Sequence, residues 1–156
     1  MSENAARAVA ALTRVGGSVA VAESLTGGLV LAALTEGPGA SASVRGGTVA
    51  YATDTKHSVL GVDAGLLDER GPVDPDVAAA MARCVRALFG AEIGLATTGV
   101  AGPEPQDGHP VGEVYVALAD ASGVRVESLR LDGERIAIQR ATVEAVVQLL
   151  LDRLEA

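Results

Sequence analysis

Aromatic side chains are almost missing from this chain: two Tyr, one Phe and no Trp make up 2% of its 156 residues. Without them there are no platforms on which the bases of a single strand could stack. Positive charge is scarce as well, since 12 Lys and Arg stand against 20 Asp and Glu, for a formal net charge of −8. A nucleic-acid partner calls for the opposite balance, with Lys and Arg clustered on one face, so no nucleic acid is expected as a partner. The lone cysteine, Cys84, excludes an internal disulfide framework. Its place among Val77, Met81, Val85 and Leu88 predicts core packing, and apolar surroundings raise a thiol pKa and quench its reactivity. His57 and His109 lie far apart with no Cys or carboxylate cluster at ligand spacing, so no metal and no cofactor is expected, and both histidines read as surface residues. Hydrophobic residues reach 49%, yet no apolar run approaches the roughly 18 residues of a membrane span. The first residues are too polar for a signal peptide, so the cytoplasm is the expected location and no membrane partner is expected.

A chain of this length predicts one domain, residues 1–156, able to bury a real core. Residues 3–14 carry Ala6, Val9, Ala10 and Leu12 at near-helical spacing and end at Gly16-Gly17. Val19, Ala20 and Val21 read as a short buried strand, and Leu29, Val30, Leu31, Ala33 and Leu34 as the apolar helix after it. Residues 44–52 lean to a strand, and a short helix starts at Thr53-Asp54-Thr55 with Lys56 in its first turn. Residues 73–76 look like a helix start for the stripe Val77, Met81, Cys84, Val85 and Leu88. Residues 93–96 form another strand, running into a loop at 97–103 too rich in Gly and Pro for regular structure. Strands at 114–119 and 124–131 flank Asp120-Ala121-Ser122-Gly123 as an antiparallel hairpin. A final helix carries Val143, Val146, Val147, Leu150, Leu151 and Leu154. This alternation predicts an α/β fold, a three-layer α/β/α sandwich with a mainly parallel mixed sheet and one antiparallel hairpin.

Ala22-Glu23-Ser24-Leu25-Thr26-Gly27-Gly28 places a hydroxyl where an apolar strand gives way to a helix. The first N–H groups of a helix lack partners within it, so Thr26, Gly27 and Gly28 at a helix opening can hold an oxyanion or phosphate beside Ser24. Spacing alone leaves two readings: Ser24 or Thr26 as a simple N-cap, or Ser24 as a nucleophile beside an anion site. Ligands collect at the carboxyl ends of parallel strands, and Ser24, the segment from Tyr51 to Lys56, and the loop 97–103 all follow predicted strands.

Of the twelve basic side chains eleven are Arg, and Lys56 is the only Lys. Arginine cannot lose its proton in a protein, whereas a lysine amine can when burial or a nearby charge lowers its pKa. A lysine used where arginine serves elsewhere is therefore a candidate general base, and Ser24 with Lys56 makes a serine–lysine pair. The other reading is a single lysine on a solvated helix.

Four segments in order resemble the CinA C-terminal domain family across almost the whole chain: residues 22–28; Gly46-Gly47-Thr48-Val49-Ala50-Tyr51 with Lys56 and Leu60-Gly61-Val62; Thr98-Gly99-Val100-Ala101-Gly102-Pro103; and Pro110-Val111-Gly112-Glu113-Val114-Tyr115. The family includes nicotinamide-nucleotide amidohydrolases, so the resemblance implies metal-independent conversion of nicotinamide mononucleotide to nicotinate mononucleotide and ammonia. By matching motif it implies Ser24 as nucleophile, Lys56 as base and Tyr51 at the catalytic centre. It implies Leu25, Thr26, Gly27, Gly28, Thr98, Gly99 and Gly102 around a small-molecule pyridine nucleotide, and Arg135, more than Arg140, as phosphate partner. A homo-oligomer is also implied. The domain also occurs fused behind a molybdopterin-binding-like domain, and a stand-alone form is expected here. Leu25 stands where the family motif commonly has cysteine, residues 104–109 lack its usual glycine run, and Gln139-Arg140 is out of register with its basic position. The competing expectation is a non-catalytic nucleotide- or protein-binding module of the competence/damage-inducible type.

Overall fold

The computed structural model describes residues 2–156. Helix α1 (Glu3–Val15) turns Ala5, Ala8, Val9 and Leu12 inward and stops at Gly16, whose left-handed φ of 67° lets its N–H return to the last turn. Strand β1 (Val19–Glu23) follows, buried at every residue. Helix α2 (Leu29–Thr35), the single turn α3 (Ala40–Ser43), strand β2 (Val44–Val49), and helices α4 (Thr53–Ser58), α5 (Ala64–Arg70) and α6 (Pro75–Leu88) come next. Strand β3 (Ile93–Gly99), the hairpin β4 (Glu113–Asp120) and β5 (Gly123–Arg130), and helix α7 (Arg135–Glu155) complete the domain.

The five strands lie in the order β2-β1-β3-β4-β5. β1 runs parallel to β2 and β3, while β4 is antiparallel to both β3 and β5. The fold is thus the expected α/β sandwich on a mixed sheet, with the expected hairpin at one edge. Strand β3 runs to Gly99, beyond the predicted strand at 93–96, because Thr98 and Gly99 pair with Tyr115 and Val114 of β4. Helices α3 and α5 are too short to show a period and carry no expectation from the sequence. No helix among the described residues is long and apolar enough to cross a membrane.

Alternation along the strands divides the core in two. Val19, Val21, Leu95, Val114, Val116 and Leu118 pack against α1, α2 and α7. The opposite face presents Ala20, Ala22, Ala96, Ala117 and Ala119 to α6. A sheet face made of alanines lets α6 come down almost onto the backbone. Cys84 lies half-buried against this second core, where burial pushes its thiol pKa up.

Gly94 of β3 marks the closest approach: a Cβ there would stand 2.1 Å from the Ala82 carbonyl oxygen and 2.8 Å from Arg86 Cβ. Backbone cannot rotate away as a side chain can. Gly94→Ala should therefore cost about 3 kcal/mol in urea unfolding, the upper range for overpacking. A loss well under about 1 kcal/mol would show that α6 retreats without resistance.

Candidate active site

The parallel strands β1, β2 and β3 end at the same side of the sheet, and their following turns enclose a cavity of about 320 Å³, within the range of small-ligand pockets. Ser24 and Leu25 line it from the turn after β1, Tyr51 and Lys56 from the segment after β2. Thr98, Gly99 and Gly102 line it from the end of β3 and the turn beyond, and Arg135 from the start of α7. Pro103, Glu104, Pro105 and Gln106 form another wall. Two backbone hydrogen bonds between Gln106 and His109 close that loop on itself.

Lys56 is 1% exposed, so it is not the solvated cation of the alternative reading. Its Nζ donates to the carbonyl of Ala50 at 2.8 Å and meets Ser24 Oγ at 2.9 Å. The Ala50 N–H in turn bonds the Glu23 carbonyl at 2.8 Å, which ties the strand that leads into Ser24 to the segment carrying the amine. No carboxylate pairs with Lys56 among the described residues, and burial lowers its pKa from 10.5 to about 8. Desolvation penalises the charged form, and two neutral oxygens do not offset that.

The turn between β1 and α2 departs from the sequence expectation. The helix does open after Gly28, but its N–H groups are already occupied. Glu23, 1% exposed, accepts from the N–H groups of Gly28 (3.2 Å), Val30 (2.9 Å) and Leu31 (3.0 Å) and from Thr26 Oγ1 (2.6 Å). Neither Ser24 nor Thr26 is the cap, and an incoming anion finds no free donor on Gly28. Gly27 donates to the Ser24 carbonyl, so Thr26 by its side chain and Gly27 and Gly28 by their N–H groups serve the turn itself. The turn N–H groups that make no hydrogen bond among the described residues are those of Leu25 and Thr26. Gln139 Nε2 holds the Leu25 carbonyl at 2.8 Å; because the peptide is planar and trans, this aims the Thr26 N–H the opposite way.

Other predicted residues are placed less centrally. Thr98 lines the cavity, but its hydroxyl is committed to the Pro72 carbonyl at 2.5 Å. Tyr51 is 59% exposed at the mouth, its hydroxyl bonded to Arg135 at 3.2 Å and to neither Ser24 nor Lys56. Arg140 belongs to a different hollow, lined by Leu29, Ala32, Ile136 and Val143. It lies five residues beyond Arg135 on α7, about 140° around the helix. His57 is exposed as expected, whereas His109 is partly buried, with Nδ1 2.6 Å from Glu113. Among the described residues no group of three or more His, Cys, Asp or Glu is placed to hold a metal ion. Sequence reasoning assigned no role to Glu23 or Gln139; the one available signal was a carboxylate inside an otherwise apolar strand.

A lysine that is easier to deprotonate folded than unfolded weakens the fold where it is charged. Below about pH 8 the cost is fully present, about 3 kcal/mol for the shift from 10.5. Between pH 8 and 10.5 the unfolded chain binds the extra proton, so stability rises with pH. Urea unfolding across this window should show that rise in the parent and not in Lys56→Met. A flat parent profile would contradict the burial of the amine.

The profile of the CinA C-terminal domain matches residues 1–154. A CinA-like protein of Frankia casuarinae is 52% identical over 133 residues, covering 85% of this chain and 31% of that protein. A putative competence-damage inducible protein of Desulforamulus reducens is 48% identical, covering 88% of this chain and 34% of its own. The chain thus spans about a third of the length of these relatives. The competence/damage-inducible protein CihA of Agrobacterium tumefaciens superposes with a TM-score of 0.93 at 37% identity, over 99% of this chain and 94% of that one. A CinA superfamily protein of Klebsiella pneumoniae gives 0.94 at 30% identity, over 98% and 96%. With three of the four motifs lining one cavity and the match running nearly end to end, this chain belongs to the CinA C-terminal domain family.

Proposed function

We propose that the domain is an amidohydrolase that removes the carboxamide nitrogen of nicotinamide mononucleotide through a Ser24–Lys56 acyl-enzyme route. The observation that carries this reading is the buried Lys56 amine 2.9 Å from Ser24 Oγ, with no histidine in the cavity. At a pKa of about 8, about a tenth of the amine is neutral at pH 7, against about one part in 3,000 at 10.5. That difference is what makes it a usable base.

Ser24 Oγ attacks the amide carbon as its proton passes to Lys56. The N–H groups of Leu25 and Thr26 receive the charge that develops on the carbonyl oxygen. Collapse of the tetrahedral species breaks the C–N bond, and Lys56 returns the proton to the departing ammonia. Water then attacks the acyl-serine with Lys56 again as base, releasing nicotinate mononucleotide and freeing Ser24. Arg135, exposed at the cavity mouth beside Tyr51, is the phosphate partner in this reading, since a guanidinium fork suits that dianion. The pyridine nucleotide itself comes from the family resemblance; the cavity's size accommodates a small ligand.

Ammonia release from nicotinamide mononucleotide by the purified chain tests the reading. It should be abolished in Ser24→Ala and fall on the order of 10²-fold or more in Lys56→Met, the contribution typical of positioned proton transfer. Thermal stabilisation by the nucleotide without turnover would instead mark a binding module. The parent's kcat/KM should climb with pH and level off above about 8, because only the neutral amine accepts a proton. Arg135→Ala should raise KM more than it lowers kcat; the opposite split would place Arg135 in the transition state or in the architecture of the turn.

A further inference from the structure

Glu23 is a buried carboxylate with no cation beside it among the described residues, and it lies outside the cavity lining. Four donors surround it, three of them N–H groups at the start of α2. The fourth begins a chain of hydroxyls with a fixed direction. Thr26 Oγ1 spends its only proton on Glu23, so across the 2.8 Å contact with Thr97 Oγ1 it can only accept. Thr97 therefore donates, and its oxygen is left to receive the Ser24 N–H at 3.4 Å, a bond that N–H shares with the Thr97 carbonyl at 3.1 Å. The direction runs from the backbone of Ser24 through two threonines into the carboxylate.

We infer that Glu23 is a positioning residue: as the resident anion of the α2 opening, its carboxylate holds the 24–28 turn so that Ser24 stays against Lys56 and the Leu25 and Thr26 N–H groups stay free for the oxyanion. By occupying the donors of Gly28, Val30 and Leu31 it also closes that helix opening to the substrate's phosphate. Glutamine in its place keeps one acceptor oxygen but turns an NH2 toward a donor, so one of the four bonds must be lost and the turn relaxes. The inference rests on Ser24 being the nucleophile. It does not depend on which amide is cleaved.

The full chain carrying Glu23→Gln is compared with the parent for ammonia release and for the rate at which a fluorophosphonate labels Ser24. In that labelling the Ser24 O–P bond forms, the P–F bond breaks, fluoride leaves and the serine proton passes to Lys56. Folding is checked by circular dichroism and thermal midpoint. Glu23→Gln should lose on the order of tenfold or more in kcat with KM nearly unchanged, as expected when reacting atoms are slightly misplaced. Labelling should slow in proportion, and the pH limb of kcat/KM should stay where it is in the parent. Thr97→Val, which removes only the hydroxyl link, should show the same pattern more weakly. Parental kcat and labelling in folded Glu23→Gln would overturn the inference, as would a raised KM with kcat intact or a displaced pH limb. If Glu23→Gln does not fold, parental rates in Thr97→Val overturn it. A parent that is labelled at Ser24 but releases no ammonia refutes the amidohydrolase reading while labelling still decides the role of Glu23. A parent that does neither refutes both.

Discussion

An amine kept from water, facing one hydroxyl and one carbonyl, is the constraint that organises the carboxyl-terminal edge of this sheet. It disfavours charge on Lys56 and so works against folding near neutral pH. The surrounding structure has to hold it there. The Ala50 carbonyl that accepts Nζ belongs to a residue whose N–H is pinned to β1, and the hydroxyl opposite belongs to a turn anchored by Glu23 and Gln139. Amine and hydroxyl are thus fastened to the same strand end from two sides. Such an arrangement sacrifices stability to keep a buried amine, a trade of the kind that functional sites make.

Glu23 and Lys56 make an instructive contrast. Each is a 1%-exposed ionisable side chain, and they flank Ser24 without pairing with each other. The carboxylate is satisfied by four donors drawn from the backbone and a threonine, whereas the amine has two oxygens only. A fully partnered group is inert and holds shape; a group with incomplete compensation is left chemically available. With burial equal, the difference in partner count is what distinguishes the two groups.

Much of this was legible in the chain. Ser24 stood at a strand–helix junction, and a single lysine among eleven arginines singled out Lys56, because arginine cannot do what a buried amine can. What escaped depended on contacts the local pattern does not contain. Glu23 looked like one motif residue among others, since nothing in the sequence says its side chain reaches N–H groups up to eight residues ahead. Thr97-Thr98-Gly99 read as loop until antiparallel partners on β4 drew it into the sheet. Arg140 was a reasonable phosphate candidate only while the start of α7 was unknown. Once that helix begins at Arg135, the two arginines point to different hollows.

The alanine-lined face under α6 carries a consequence for how the cavity can vary. Where large side chains interlock, a new methyl group is absorbed by a neighbour's rotation; at Gly94 the neighbours are the Ala82 carbonyl and the Arg86 Cβ, which cannot rotate away, and the helix must travel. The segment just ahead of α6 brings Pro72 and Val73 to the cavity wall, with the Pro72 carbonyl clasping Thr98. A residue enlarged in the middle of the sheet, touching no ligand, would therefore reshape the pocket by translation. The shape of this cavity can drift through its floor as readily as through its walls.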